Sequence, residues 1–382
     1  MARDRAGVTV RMVDGRADLK RFLDLPFDIY RDDPNWVAPL YAERLRHLDP
    51  RLNPYFDHAE AQFFLAERGG VVVGRISAQL DRLHLERHRD GAGQFGFLEA
   101  IDDAAVFAVL TDTAAQWLAG RGATRMRGPF SLSINDESGL LVDGFDRPPS
   151  VMMGHARPYY GPQLEALGFT KAKDLIAYDY DGSARMPQAM AALVDRALSN
   201  GRMEVRPLSK RHLARDLSLI MDIFNDAWSD NWGFVPLTEA EIARLGQTLK
   251  TLVGEDYVAI ASWRGEPAAM AVSLPDTNRA IHDLGGRLLP FGWARLLWRL
   301  FARPPSAVRM PLMGVRKAYQ QSVAGSTLAL GVLARVRESH LKRGTRRAEL
   351  SWILEDNLPM RRMIEALGGV AYKTYRIYER AL

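Results

Sequence analysis

The first place in this chain where residue types and spacing allow chemistry is a polar run after a core-like strand. Ser131-Leu132-Ser133-Ile134-Asn135-Asp136-Glu137-Ser138-Gly139, followed by Asp143, gathers hydroxyls, an amide and carboxylates. Ligands of α/β-type sheets bind beyond the strand ends. Asp136 or Glu137 can serve there as a general base, with Asn135 beside them on the substrate. The same residues also suit a solvated loop built on Asn/Asp turn chemistry. A second run, His155-Ala156-Arg157-Pro158-Tyr159-Tyr160, is rich in hydrogen-bond donors. His155, Tyr159 and Tyr160 can hold an anion or a headgroup, or pack as a plain loop.

Other chemistries are excluded or unsupported. The chain has no cysteine, which removes thiol nucleophiles, disulfides and Cys-based metal sites together. None of the eight histidines stands in HxH or HExxH spacing. His84 and His88 share a helix face, but among Leu85, Glu86 and Arg87 that face reads as solvated, so no metal site is expected. The net charge of +5 permits anionic ligands such as CoA, nucleic acid or lipid headgroups and selects none. Basic residues do not interleave with aromatics beyond one short segment, so no nucleic-acid role is expected. The N-terminus carries no signal-peptide pattern and no stretch reaches about 20 uninterrupted apolar residues, so a cytoplasmic location is expected. Nothing in the sequence marks the oligomeric state.

The elements that must position these residues read as α+β. At 382 residues the chain is long enough for two cores. Strands are expected at 8–13, 61–68, 71–79, 94–99, 124–129 and 172–180, with helices at 18–23, 104–119 and 160–167. A second series places strands at 203–207, 257–263, 268–274, 308–315, 348–354 and 370–378. Its helices fall at 213–228, 239–252, 327–342 and 359–367. Hairpins with crossover helices indicate an α/β sandwich, in which mixed central sheets are flanked by helices.

The two series end alike. Glu165-Ala166-Leu167-Gly168-Phe169 leads to Lys173 and Tyr178, and Glu365-Ala366-Leu367-Gly368-Gly369 leads to Lys373 and Tyr378. A repeat with this period is no solenoid unit, which recurs every 20–50 residues or so. It implies two copies of one domain, divided as 1–181, a connector at 182–202, and 203–382.

The element order, with Glu355-Asp356-Asn357-Leu358-Pro359 opening a helix after a strand, resembles the GNAT acyl-CoA N-acyltransferase fold, present twice. The resemblance implies that acyl-CoA is the co-substrate and that its pyrophosphate sits at a helix start. Helix N-termini offer unpaired N–H donors and a positive dipole end. The matching stretch follows Val315 and runs Gln320-Gln321-Ser322-Val323-Ala324-Gly325-Ser326-Thr327, with Asn357 nearby in the family pattern. Gln320 and Gly325 fit that pattern, and Val323 stands where its first glycine is usual. On this basis Gly325→Asp is expected to abolish CoA binding. The first copy has Asp102 and Asp103 at its equivalent point, which repel a pyrophosphate, so the second domain is expected to be the CoA domain. The resemblance also implies that Glu99 ends a strand carrying a general base, and that Trp228 and Trp232 cover the acceptor, unless they are core. The family's usual acid, a tyrosine on the last helix, is replaced by Ile364 and Leu164.

Residues 287–304 form an insertion in the second copy. Arg295, Arg299 and Arg303 recur every four residues, with Trp293, Trp298, Leu300 and Phe301 among them. Such a helix suits a membrane interface, a protein surface or a dimer contact. Contact through Trp293, Arg295, Trp298, Arg299 and Phe301 would place the protein peripherally on the inner face of the cytoplasmic membrane. Asp33-Pro34-Asn35-Trp36, Arg127-Gly128-Pro129-Phe130, Asn135-Asp136-Glu137 and the Lys373–Tyr378 ending are similar to a bacterial family that includes the bacterial ceramide synthases. That implies long-chain acyl transfer from acyl-CoA to the amine of a sphingoid-base-like lipid. Acetylation of a polar amine or protein, and an inactive acyl-CoA or lipid sensor, stay open as alternatives.

Overall fold

The computed structural model describes residues 4–5, 7–302 and 305–382; among these, the side chains of 4–5, 248–252 and Phe301 lie outside what is described. The first half runs β1 (Asp4–Arg5), β2 (Val8–Met12), α1 (Gly15–Ile29), α2 (Tyr41–Leu48), β3 (Ala59–Arg68), β4 (Val71–Asp81), α3 (Arg82–His88) and β5 (Ala92–Ala100). It continues with α4 (Ala104–Ala119), β6 (Arg125–Gly128), β7 (Phe130–Ser131), β8 (Glu137–Ser138), β9 (Leu140–Asp143), α5 (Tyr160–Ala166) and β10 (Thr170–Asp181). The second half runs α6 (Gln188–Ser199), β11 (Met203–Pro207), α7 (Leu213–Trp228), α8 (Glu239–Leu252), β12 (Val258–Trp263) and β13 (Glu266–Pro275). Then come α9 (Asn278–Ile281), α10 (Gly292–Phe301), β14 (Ala307–Val315), α11 (Val323–Lys342), β15 (Arg347–Leu354), α12 (Leu358–Ala366) and β16 (Val370–Ala381).

Local chemistry sets the boundaries. Asp103 starts α4 by accepting from the N–H groups of Ala105 and Val106. The β3–β4 turn uses Gly69 and Gly70, both at positive φ, which costs glycine nothing. The polar run after β6 is not wholly loop, since β7 pairs with β8 there. The α3 face is not solvated: His84 is buried, its ring lies 4.6 Å from that of His88, and its Nε2 is 3.2 Å from Asp90. Helix α11 starts at Val323, four residues before the expected start at 327, because Ser322 caps it through Gly325 N–H.

Two compact units result. Unit 1 comprises Met1–Ile176, Ile281–Gly292 and Lys373–Leu382; unit 2 comprises Ala177–Ala280 and Trp293–Tyr372. Each takes its closing strand from the other half of the sequence. In unit 1, β16 pairs antiparallel with β6 through Tyr378↔Gly128 to Ala381↔Arg125. In unit 2, β10 lies beside β15. The near-copied endings gain a physical meaning here. The Tyr378 hydroxyl donates to Glu165 at 2.8 Å within unit 1, and the Tyr178 hydroxyl donates to Glu365 at 2.9 Å within unit 2. Each tyrosine meets the glutamate of the other copy.

The unit 1 sheet follows β1-β2-β3-β4-β5-β6-β16, antiparallel except for the parallel pair β5–β6. Its core under α1 gathers Phe22, Leu23, Leu65, Phe97 and Leu132. The unit 2 sheet follows β15-β14-β13-β12-β11 with β14–β15 parallel. Its core packs Ile220, Phe224, Phe234, Ile260, Met270 and Val308. A single parallel pair in each sheet requires a crossover helix, and α4 and α11 supply it.

Candidate functional site

Unit 1 has a buried polar centre at the end of β5. Glu99 Oε2 accepts from Tyr160 at 2.6 Å and from Tyr30 at 2.8 Å, and its Oε1 lies 3.9 Å from Arg75. Burial pushes the Glu99 carboxyl above the ordinary range, against the pull of Arg75 and the two hydroxyls. Burial also raises both tyrosines, reinforced by the Glu99 charge. The Tyr159 hydroxyl donates to the Ala100 carbonyl at 2.8 Å, and burial pushes it up to about 12. His155 Nε2 is 2.9 Å from Asp33, its other ring nitrogen is buried without a partner among the described residues, and burial lowers its affinity for a proton. Glu99, His155, Tyr159 and Tyr160 are thus brought together around Tyr30, a residue the sequence reading did not single out.

The other two carboxylates of the sequence reading are paired elsewhere, one within its own turn and one with a distant arginine. Asp136 Oδ2 accepts from the N–H and hydroxyl of Ser133, and Asn135 N–H donates to Ser133 Oγ, which is turn chemistry. Glu137 is paired with Arg44.

Unit 2 contains the helix entry expected to receive a pyrophosphate. The β14–β15 ladder ends at Met310↔Leu350, whereas β14 runs on to Val315 and β15 to Leu354. Beyond that point the backbone of β14 is met by side chains. Trp228 Nε1 donates to the Met313 carbonyl at 3.0 Å, and Gln320 Nε2 donates to the Val315 carbonyl at 2.9 Å. Trp228 also lies against Phe224, ring centroids 4.9 Å apart and tilted by 43°, and packs on the core, while Trp232 is half-buried. The first N–H groups of a helix lack intrahelical acceptors. At α11 the one on Gly325 is taken by Ser322 Oγ at 3.0 Å, while Val323 is largely exposed. Ser326 and Thr327 turn their hydroxyls back to the carbonyls of Ser322 and Val323, and Asn357 Oδ1 caps α12 through Met360 N–H. A Cβ on Gly325 would stand 2.1 Å from the Tyr319 carbonyl oxygen. The glycine is therefore required by the loop itself, so Gly325→Asp would break the loop and says nothing specific about a ligand.

Sequence reasoning missed a buried charged cluster where β14 and β15 begin to part. Arg309 and Glu349 are paired in register and almost fully buried. Arg309 Nε donates to Ser351 Oγ at 2.9 Å, Ser351 donates to Glu349 Oε1 at 2.6 Å, and Tyr372 donates to Glu349 Oε2. Burial, reinforced by Glu349, raises the Tyr372 hydroxyl far above its ordinary value. A charge inside each of the apolar runs Val308-Arg309-Met310 and Ala348-Glu349-Leu350 was the available signal. The position of the family's usual acid, Ile364, is core at 2 % exposure.

Helix α10 leaves Trp293, Leu297 and Trp298 about half exposed, with Arg295 exposed beside them. Arg299 instead donates to the Ala280 carbonyl at 2.7 Å. Among the described residues no helix is long and apolar enough to cross a membrane.

This architecture is shared with tandem GNAT proteins. A tandem GNAT protein from the clavulanic acid biosynthesis pathway superimposes with a TM-score of 0.56 at 14% identity, covering 98% of each chain. A GCN5-related N-acetyltransferase from Sphaerobacter thermophilus gives 0.53 at 12% identity, covering 99% of this chain and 96% of that one. No family model matches the chain. In sequence, the chain is 47% identical over 379 residues to the bacterial ceramide synthase of Caulobacter vibrioides, covering 99% of this chain and 98% of that protein. It is 44% identical over 374 residues to protein YghO of Escherichia coli, covering 98% and 95%. The class these define is a GNAT-fold N-acyltransferase. The chain belongs to the family of the bacterial ceramide synthase.

Proposed function

We propose that this protein transfers a long-chain acyl group from acyl-CoA to the primary amine of a sphingoid-base-like lipid. The observation that carries this reading is the full-length similarity to the bacterial ceramide synthase. Unit 2 is the acyl-CoA unit. An extended arm bearing amides, such as the pantetheine of CoA, pairs with strand backbone where parallel strands part, at the groups that Trp228 and Gln320 do not already meet. The same stretch of β14 leads to the α11 N-terminus, which receives the pyrophosphate near Gln320 and Val323–Thr327, with Val315 and Asn357 at the margins. Trp228 and Trp232 border the acceptor.

Unit 1 is a GNAT-like domain without CoA that shapes the substrate. Its polar centre of Glu99, His155, Tyr159 and Tyr160 is the substrate-side candidate, with Asn135, Asp136 and Glu137 as outer members. Helix α10 rests on an anionic lipid surface through Trp293, Leu297, Trp298 and Arg295, at the inner face of the cytoplasmic membrane. An amphipathic cationic face with tryptophan is suited to that surface.

The test is thiol release from palmitoyl-CoA or acetyl-CoA with a sphingoid base or a polar amine, with mass spectrometry of the products. An N-acylated long-chain base from the long donor is the expected result. Acetylation of the polar amine alone would replace this reading with that of an acetyltransferase. CoA binding without turnover on any amine would make the protein a sensor. Co-sedimentation with anionic vesicles, lost in Trp293→Ala/Trp298→Ala, tests the membrane contact; undiminished sedimentation of that variant would overturn it.

A further inference from the structure

The unit 2 sheet carries different chemistry on its two faces. Arg309 and Glu349 alternate with Val308, Met310, Ala348 and Leu350, so the charged pair and the four apolar residues take opposite faces. On the apolar side those four line a cavity together with Leu333 and Val336 of α11. Its free space is about 590 Å³, the open end included, and its surface is almost wholly apolar. Resting on the acyl-CoA reading of unit 2, we propose that this cavity holds the distal part of the donor's fatty acyl chain, and that residues 182–186 set how long a chain fits.

The position suits a chain that arrives from a thioester. Met310 and Leu350 both line the cavity and form the last pair of the β14–β15 ladder, so the cavity reaches the point where the strands part. Along α11, Val323 at the helix entry lies about 15 Å from Leu333 at about 1.5 Å per residue. That span is of the order of an extended pantetheine arm. From Leu333 the lining continues through Val336 to His340, about 10 Å further along the helix. The acyl chain is the part of the donor that lies beyond the thioester, and an apolar chain is what an apolar wall favours.

The polar groups of the lining leave no charge for a headgroup. Ser273 donates its hydrogen to the Tyr257 carbonyl at 2.7 Å and so accepts from His340 Nε2 at 2.8 Å. Burial lowers His340 to about 4, which keeps this wall uncharged at neutral pH. The arginines at the far end hold the chain in place. Arg337 donates to the carbonyls of Gly182 and Ala184 at 2.7 and 2.6 Å, and Arg347 Nε donates to Asp179 at 2.8 Å.

These bonds draw the connector across the cavity. Gly182 N–H also donates to the Arg346 carbonyl at 2.6 Å, at the start of β15 and away from the Leu350 end. Gly182 and Met186 both line the cavity, and Met186 is half-buried there. The cavity therefore runs from the parting strands to a tethered segment, and Met186 is the side chain that segment turns to the chain's end.

The experiment uses the full-length protein and calorimetric affinities for palmitoyl-CoA and for CoA. Wild type is expected to bind palmitoyl-CoA more tightly than CoA. In Met186→Trp the affinity for palmitoyl-CoA falls at least about tenfold, the worth of roughly two buried methylenes, while that for CoA is unchanged. Offered octanoyl-, palmitoyl- and arachidoyl-CoA together with a sphingoid base, Met186→Trp shifts the amide products to shorter chains and Met186→Ala to longer ones. Leu333→Trp, nearer the parting strands, weakens octanoyl-CoA as well, and gives a second reading should Met186→Trp fail to fold. Unchanged palmitoyl-CoA affinity and product lengths in the folded tryptophan variants would overturn the proposal, as would equal losses for CoA and palmitoyl-CoA. Free palmitate that still binds to protein saturated with palmitoyl-CoA, and is lost in the same variants, would make the cavity a separate lipid site and overturn it too. A wild type that binds neither CoA nor palmitoyl-CoA would defeat the acyl-CoA reading itself, which is a distinct outcome.

Discussion

The two units treat the same place in their sheets in opposite ways. In unit 1 the β5–β6 ladder ends at Gln94↔Arg127, yet the chain stays pressed on β5. Gln79 Nε2 donates to the carbonyls of Phe130 and Leu132 at 2.7 and 3.0 Å, and Phe97 N–H donates to Ser131 Oγ at 3.2 Å. In unit 2, β14 and β15 continue past their ladder with a buried charged cluster at its end. The helix entries differ in the same sense. Asp103 spends its carboxylate on the N–H groups of α4, whereas α11 is capped by a neutral serine. One duplicated architecture thus yields a copy in which the chain fills the place beside β5 and a copy in which two strands part. The difference teaches that whether such a sheet is filled or parted at this place depends on what the neighbouring segments supply, not on the fold.

The largest predicted effect attacks the closure of unit 1. A Cβ on Gly96 would stand 1.7 Å from the Phe130 carbonyl oxygen, so Gly96→Ala forces the strands apart. A loss of about 1–3 kcal/mol or more is expected, and an unchanged denaturation midpoint would contradict the close approach. Next, Val323→Glu places a carboxylate at the exposed start of α11 without meeting the loop that Gly325 serves. CoA affinity measured by calorimetry is expected to fall at least about tenfold, or about 1.4 kcal/mol, with the fold intact; equal affinity would move the phosphate site elsewhere.

A third test uses acid, which acts oppositely on one group in each unit. Glu99 has its carboxyl raised by burial, so its contribution is full at low pH and fades as pH rises through the raised value. His340, lowered to about 4 by burial, contributes stability above its ordinary value and loses it as pH falls toward about 4. Glu99→Gln is therefore expected to flatten a decline on the alkaline side of the carboxylate range. His340→Gln is expected to flatten a decline between about pH 6.5 and 4. Thermal midpoints across pH for both variants check the signs. The smallest effect compares the reciprocal pairs: Tyr178→Phe and Tyr378→Phe each remove a hydrogen bond to a glutamate, costing about 1 kcal/mol, and Tyr178→Phe also removes the acceptor of the Arg361 Nε bond at 3.1 Å, so its loss is expected to be the larger. Thermal midpoints check both, and an unchanged midpoint in either variant would show that its copy no longer relies on the shared ending.

Much of the architecture was legible because its signals are local. The α4, α7 and α8 ranges and the two hairpins follow from periodicity and turn chemistry within a few residues. The entry to α11 was legible as a helix start, but the reason for Gly325 was not, because the Tyr319 carbonyl that crowds it is known only in three dimensions. Glu99 and the His155–Tyr160 run were each visible as residue types, while the Tyr30 hydroxyl that joins them comes from the residue just past α1, 69 positions before Glu99.

By itself the sequence determined two copies of an α+β domain, the absence of thiol chemistry and a helix start in the segment that holds Gly325. Those depend on residue type and short-range spacing. Tertiary structure alone decided which strand closes which unit, and brought Arg309, Ser351, Glu349 and Tyr372 into one cluster. The physical reason is that strand pairing and burial of charge depend on partners far apart in the chain, and period-two patterns record only which face a residue takes, not which strand lies beside it.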